Sequence, residues 1–108
     1  MSRYTLRPKA EEDLIGHEEY LAENASIEIA ARFLDAVEEA FRLLATQPQM
    51  GARRNYRRPE LEGQRMWPIS GFENYLVFYF PTEYGIDINR VLYAARDIKG
   101  LFETGGGS

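Results

Sequence analysis

The side chains best suited to chemistry in this sequence are arginines and a tyrosine on predicted strands and their flanks. Arg65, Arg90 and Arg96 could stabilise negative charge that develops on a phosphate during a reaction. Tyr93 could transfer a proton in the same reaction. The single histidine, His17, is expected on a helix away from the sheet, and we expect no carboxylate beside the strand arginines. The catalytic set is therefore incomplete, so we predict no catalytic residue.

The composition excludes further classes of chemistry. The chain has 108 residues and no cysteine, so it has no disulfide framework, thiolate zinc site or cysteine nucleophile. With 44% apolar residues it can bury one core, and we predict a single domain over residues 1–103. No apolar run approaches the roughly 18 residues of a membrane span, and the first residues lack the apolar centre of a signal peptide. We expect a cytoplasmic protein with no cofactor, no metal and no membrane partner.

The charges are unevenly distributed along the chain. Residues 1–46 carry 10 acidic and 5 basic side chains, whereas residues 47–67 carry 2 acidic and 5 basic ones. Most of these charges are expected simply to face solvent. The alternative is that the basic segment, with Arg53, Arg54, Arg57 and Arg58, contacts an acidic partner.

Hydrophobic spacing predicts an α+β fold that positions these residues. Apolar residues at spacings of three and four indicate helices over residues 8–23 and 26–46, and the short break between them predicts an antiparallel hairpin. A short strand is expected before them at residues 3–6, and a loop after them at residues 52–62. Three strands in an antiparallel meander are expected at residues 64–69, 74–80 and 86–93. Asp97 is expected to cap a short helix over residues 98–102, and residues 104–108 are typical of a flexible Gly-rich tail or an added linker.

Arg90 interrupts a row of apolar residues on the last predicted strand. With a period of two, Ile86, Ile88, Arg90 and Leu92 share one face. The arginine stem could simply cover the edge of the core. Alternatively, its guanidinium could clamp a carboxylate of a partner, because its planar fork suits bidentate pairing. Both interpretations remain open at this point.

The order of several short motifs resembles a known family. Tyr4-Thr5-Leu6 is followed by Pro8-Lys9-Ala10-Glu11-Glu12-Asp13-Leu14, then by Ala30-Ala31-Arg32-Phe33-Leu34, Pro48-Gln49-Met50-Gly51, Asn74-Tyr75-Leu76-Val77-Phe78-Tyr79 and Arg90-Val91-Leu92-Tyr93. Over roughly residues 3–102 this pattern is similar to the ParE branch of the RelE/ParE superfamily of bacterial toxins. The family usually has Ser or Thr before the helix-opening proline, whereas this chain has Arg7, which has no oxygen to cap the helix.

The resemblance implies a toxin of a type II toxin–antitoxin system that inhibits DNA gyrase by direct binding. A ParD-like antitoxin would neutralise it in a hetero-oligomer, with a helix on the helical hairpin and a segment along the sheet. No sequence-specific nucleic-acid binding is expected. One alternative is a RelE-like, ribosome-dependent mRNA endonuclease, although the tyrosine of that pattern is replaced here by Phe102. Another is an inactive member that acts only in a complex with its antitoxin. The residues predicted to contact antitoxin or target are Arg58, Arg65, Trp67, Tyr79, Arg90, Tyr93 and Arg96.

Overall fold

The computed structural model describes residues 3–54 and 57–94, and these form an α+β fold, as predicted. In chain order the elements are β1 (Arg3–Leu6), α1 (Pro8–Asn24), α2 (Ile27–Thr46), β2 (Ala52–Arg53), a 3₁₀ turn (Pro59–Leu61), β3 (Arg65–Ile69), β4 (Phe72–Pro81) and β5 (Gly85–Tyr93). The predicted helix over residues 98–102, its cap Asp97 and the tail over residues 104–108 lie outside the described residues.

Both helices begin where the sequence provides a start signal. Pro8 is the first residue of α1, where its fixed φ angle fits and its missing N–H is not needed. α2 follows Ser26, whose hydroxyl oxygen accepts a 3.0 Å hydrogen bond from the Ile29 backbone N–H. The two predicted helices are confirmed, each to within one residue at its ends. Neither they nor any other helix in the described parts of the chain is long and apolar enough to cross a membrane.

The five strands of the described residues form one mixed sheet in the order β1-β5-β4-β3-β2. The predicted meander is confirmed, because β3, β4 and β5 are antiparallel neighbours. β1 lies parallel to β5, with Tyr4 opposite Ile86, so the N-terminal strand extends the same sheet. β2 pairs with β3 at the other edge, inside the segment predicted to be a loop. That prediction is wrong at Ala52 and Arg53, because two residues are too few to show an alternating pattern.

β1 approaches β5 closely because β5 begins with a glycine. A Cβ atom at Gly85 would collide with the backbone carbonyl of Arg3. At the end of β1, Arg7 indeed makes no capping bond to α1. Its side chain binds the sheet instead, with Nε donating to Asp87 Oδ2 at 2.7 Å and Nη1 to Asn89 Oδ1 at 3.3 Å. The residue that departs from the family pattern therefore ties the start of α1 to β5.

A bulge interrupts the pairing of β5 with β4. Arg90 lies opposite Phe78, whereas Ile88 lies opposite Tyr79, so Asn89 between them has no opposite residue. One extra residue inverts the alternation of side chains along the rest of the strand.

The inverted alternation places the two ends of β5 in different clusters of buried residues. Ile88 packs in the core between the sheet and the helices, but Leu92 packs with Phe78 in a second, smaller cluster. The predicted common face of Ile86, Ile88, Arg90 and Leu92 is therefore wrong beyond the bulge. The main core combines the periodic face of α2 with side chains from β3, β4 and β5: Phe33, Val37, Phe41, Leu44, Ile69, Tyr75, Val77, Tyr79, Ile86, Ile88 and Val91. Each such apolar side chain contributes about 1.5–3 kcal/mol when fully buried.

Candidate partner-binding surface

Asp13 and Arg90 join α1 to the bulge of β5. The Arg90 guanidinium donates from Nε to Asp13 Oδ2 at 2.7 Å and from Nη2 to Asp13 Oδ1 at 2.9 Å. The same Oδ2 accepts the Val91 backbone N–H at 3.0 Å. The side chains of Arg90 and Asp13 are only 17% and 11% exposed. The expectation of no carboxylate beside the strand arginines is wrong, because the partners are 77 positions apart and no local spacing relates them.

This pair limits what Arg90 can offer to a partner. The hydrogen bond to Asp13 raises the pKa of Arg90 despite the opposing effect of burial, so the guanidinium stays charged. Asp13 already provides the bidentate pairing that the sequence suggested for a carboxylate of another protein. An antitoxin contact at Arg90 stays a prediction. It requires the partner to displace Asp13 from these two nitrogens or to bind elsewhere on the guanidinium.

Arg65 and Tyr79 fasten the loop that follows α2. Arg65 Nη1 donates to the carbonyl oxygens of Gln49 and Gly51 at 2.9 and 2.6 Å, and its Nη2 donates to Gln49 Oε1 at 2.7 Å. The Tyr79 hydroxyl donates to the Pro48 carbonyl oxygen at 2.8 Å and accepts the Gly51 N–H at 2.8 Å. Both side chains therefore satisfy backbone groups of the loop between α2 and β2.

Tyr79 lies in the core and has 0% exposure, so a partner on the surface does not reach it. Burial raises the pKa of its hydroxyl, and the Gly51 N–H and the charge of Arg65 oppose this rise. The packing around the hydroxyl is tight. A Cβ atom at Gly51 would collide with the Tyr79 hydroxyl and would lie 2.9 Å from the Met66 carbonyl oxygen.

Two further predicted contact residues lie on β3 or in the segment between β2 and β3. Arg58 precedes the 3₁₀ turn and forms an ion pair with Glu60, with Nη2 2.7 Å from Oε2. Trp67 is half-buried and lines a groove of about 340 Å³ between α2 and β3, together with Leu43 and Ser70. Arg65 and Trp67 therefore lie on the same strand, and Arg58 lies in the segment that leads into it.

The remaining predicted residues lie elsewhere. Tyr93, at the end of β5, is 36% exposed, and its ring centroid lies 5.0 Å from that of Tyr75. Arg90 is on the same strand, whereas Arg96 lies outside the described residues. The described site residues thus fall into three places: the β2–β3 edge, the junction of α1 with β5, and the core.

A cleft of about 840 Å³ lies between α1, the start of β4 and the end of β5. We call it the α1–β4 cleft. It is lined by four aromatic rings, those of Tyr20, Phe72, Tyr75 and Tyr93, and by three carboxylates, those of Glu12, Asp13 and Glu73. No lysine or arginine is among its described lining residues. The sequence predicted only Tyr93 as a contact residue here.

His17 lies on the floor of this cleft. It is almost fully buried, its Nε2 lies 2.7 Å from the Val91 carbonyl oxygen, and its ring packs edge-on against Tyr75. Because a carbonyl can only accept, Nε2 carries the proton in this contact. The expectation that His17 lies away from the sheet is wrong. Asp13 and His17, one helical turn apart, bind the N–H and the carbonyl of the same residue at the bulge.

The spacing of residues along α1 could have predicted one wall of this cleft. Asp13, Gly16, His17 and Tyr20 recur at spacings of three and four, so they lie on one face of α1. Phe72 and Glu73 follow a turn whose approach to α1 is set only by the tertiary fold. Within residues 3–54 and 57–94, no group of three or more His, Cys, Asp or Glu residues could hold a metal ion.

Comparison with known proteins identifies relatives. Residues 4–98 match a family model described as the ParE toxin of the type II toxin–antitoxin system parDE. Among solved structures, the fold is similar to a chain from the chromosomal ParDE TA system of P. aeruginosa, with a TM-score of 0.69 and 19% identity. The match covers 86% of this chain and 96% of that chain, and at this identity it shows the fold alone. No curated protein matches the chain.

Proposed function

Because this chain belongs to the ParE toxin family of type II toxin–antitoxin systems, we propose that it inhibits DNA gyrase by direct binding. A ParD-like antitoxin neutralises it in a hetero-oligomer, and both act in the cytoplasm, where gyrase works. The family match over residues 4–98 is the observation that carries this proposal.

The contacts of the candidate cations support binding rather than catalysis. Arg65 is occupied by loop carbonyls and Arg90 by Asp13, so neither is poised beside a nucleophile. His17 is held by the Val91 carbonyl. A ribonuclease would need a base and an acid on either side of a phosphate, with cations directed at its oxygens.

The antitoxin contact is proposed at the β2–β3 edge, where the basic part of the sequence lies. Arg53 and Arg65 lie opposite each other on β2 and β3, and Arg58 lies in the segment that connects these strands. The groove beside Trp67 is open to an apolar side chain. An acidic, amphipathic segment of the antitoxin complements this surface in both charge and hydrophobicity.

The decisive experiment measures gyrase and translation in parallel. The purified chain is added to a gyrase supercoiling reaction and to a coupled translation reaction, with plasmid relaxation by topoisomerase I as the matched control. We expect supercoiling to stop, relaxation and translation to continue, and added antitoxin to restore supercoiling. Arrested translation with cleaved mRNA would instead identify a RelE-like endonuclease. No effect in either reaction would identify an inactive member.

The edge contact has its own test. Reversing the charge at Arg58 (R58E) is expected to weaken antitoxin binding about tenfold in calorimetry, because like charges then face each other. Arg3→Glu is the matched control, since β1 lies at the opposite edge of the sheet. Equal antitoxin affinities of the two variants would show that the antitoxin does not bind at this edge.

A further inference from the structure

The α1–β4 cleft differs in charge from the basic β2–β3 edge. Among its carboxylates, Asp13 is neutralised by the bidentate contact with Arg90. Glu12 has only a loose pairing with Lys9, at 3.6 Å, and its side chain is 69% exposed. Glu73 accepts the Gly71 N–H at 2.8 Å and remains a charged acceptor. The cleft therefore presents excess negative charge.

Aromatic rings surround this charge. Tyr20 and Tyr93 are 59% and 36% exposed, so parts of both rings face the cleft opening, while Phe72 and Tyr75 form a more buried wall. A cation beside carboxylates and over aromatic faces is stabilised by both. A guanidinium or ammonium on an apolar stem suits this combination, because the stem can lie against the rings while its head meets the carboxylates.

We propose that the α1–β4 cleft binds an arginine or lysine side chain of the antitoxin. The identity of this partner rests on the proposed function above. The cleft, at about 840 Å³, is larger than one such side chain, so an apolar neighbour in the partner segment enters with it and packs on Leu21 and Phe72. The antitoxin thus binds with opposite charges at two places, an acidic part at the β2–β3 edge and a cation at the cleft. This fixes the direction in which its chain crosses the toxin.

The cation preference of the cleft is tested with two small probes. N-acetyl-arginine methylamide and its neutral analogue, N-acetyl-citrulline methylamide, are titrated into the isotopically labelled chain while the amide signals of Gly16, Gly71 and Asn74 are followed. We expect saturable shifts with the arginine probe, reduced by added salt, and none with the citrulline probe. Equal responses to the two probes, no response, or shifts confined to the groove beside Trp67 would overturn the inference.

Variants separate the carboxylates from the rings. The double change E12Q/E73Q should abolish the shifts, whereas Glu83→Gln, in the turn at the opposite end of β5, should leave them unchanged. Tyr20→Leu keeps an apolar side chain but removes a ring face, and should weaken the probe about two- to fivefold. Shifts that persist in E12Q/E73Q would overturn the inference. Arg96→Gln tests whether Arg96 of the same chain occupies the cleft. Amide signals of the cleft residues that move in this variant without a probe would also overturn the inference.

The antitoxin itself gives a separate result. Calorimetry with the protein encoded by the adjoining reading frame should show binding at least tenfold weaker for E12Q/E73Q than for Glu83→Gln. Equal affinities would overturn the role of the cleft and leave the proposed function standing. No binding to the unaltered chain would overturn the antitoxin partnership itself, and with it the proposed occupant.

Discussion

Replacing Asp13 with asparagine tests whether the junction of α1 with the β5 bulge stabilises the fold. The carboxylate accepts three hydrogen bonds, two from the Arg90 guanidinium and one from the Val91 N–H. Asparagine has one carbonyl oxygen, and its NH₂ group would face a donor, so at least one of these bonds is lost. Arg90 then keeps its charge without its hydrogen-bonded carboxylate, and only the more distant Glu12 still acts on it. Charge-assisted bonds contribute about 1.5–3 kcal/mol each, and removing one member of a buried pair costs about 3–5 kcal/mol.

Because Asp13 and Arg90 are 11% and 17% exposed, water compensates part of this loss. We therefore expect Asp13→Asn to lower the free energy of unfolding by about 3 kcal/mol, a large part of the 5–15 kcal/mol of a typical domain. With an m-value of about 1.5 kcal/mol/M, the urea midpoint falls by about 2 M. Circular dichroism and the fluorescence of Trp67, the single tryptophan, both report the transition.

The matched control is Glu38→Gln, which breaks an exposed pair with Arg42 on α2. This change should cost no more than about 0.5 kcal/mol, because both side chains are more than half exposed. A loss below about 1 kcal/mol for Asp13→Asn at an unchanged m-value would refute the reasoning, since it would mean that solvent replaces the three bonds. The double variant with Arg90→Gln should lose less than the sum of the single changes.

Three further predictions concern stability. Gly51→Ala should lower the free energy of unfolding by about 1–3 kcal/mol, because the added Cβ clashes with Tyr79. Its control, Gly16→Ala, has nothing within 4 Å of the added Cβ and should raise the free energy of unfolding by about 0.5–1 kcal/mol. Urea titrations in which Gly51→Ala is as stable as the parent would contradict this. Gln64→Met should raise the free energy of unfolding by about 1 kcal/mol. The reason is that the Gln64 amide is 0% exposed and its Nε2 and Oε1 have no hydrogen-bond partner in the described structure. A variant less stable than the parent would contradict this, and would indicate a bound water or another partner of the amide. Burial raises the pKa of Tyr79 above its ordinary 10.0, so the unfolded chain releases this proton first and stability falls as pH rises above about 10. Tyr79→Phe should be less stable at pH 7 but lose less between pH 9 and 11, and parallel curves for the two proteins would refute this.

Local patterns were sufficient for the helices and the meander. The α2 face repeats every three to four residues, and Ser26 and Pro8 are start signals that act within one turn. The local patterns failed where one extra residue inverted the alternation of side chains along a strand. The bulge at Asn89 has no sequence signal in a polar stretch, and it moved Leu92 to the other cluster.

The candidate site depended on contacts between distant parts of the chain. Asp13 resembles any acidic residue in the first turns of a helix, and only the fold brings it to Arg90. Tyr79 was predicted as a contact residue, yet its position on β4 directs its hydroxyl to the loop after α2. The contacts of Arg65 with that loop could not be predicted from the sequence either, because a guanidinium can bind the backbone carbonyl of any residue type.

The parallel pairing of β1 with β5 has a consequence for the order of events during synthesis. Arg3 lies opposite Gly85, and Leu6 opposite Ile88, so β1 pairs with β5, which is synthesised after the other strands of the described residues. Contacts of such long sequence separation form late, after the loop between them has been closed. A nascent chain can therefore complete the helical hairpin early, but β1 has no partner strand until β5 has been synthesised. A truncated product that stops before β5 would leave β1 and one edge of β4 unpaired, and we expect it to aggregate or be degraded rather than to act on a partner.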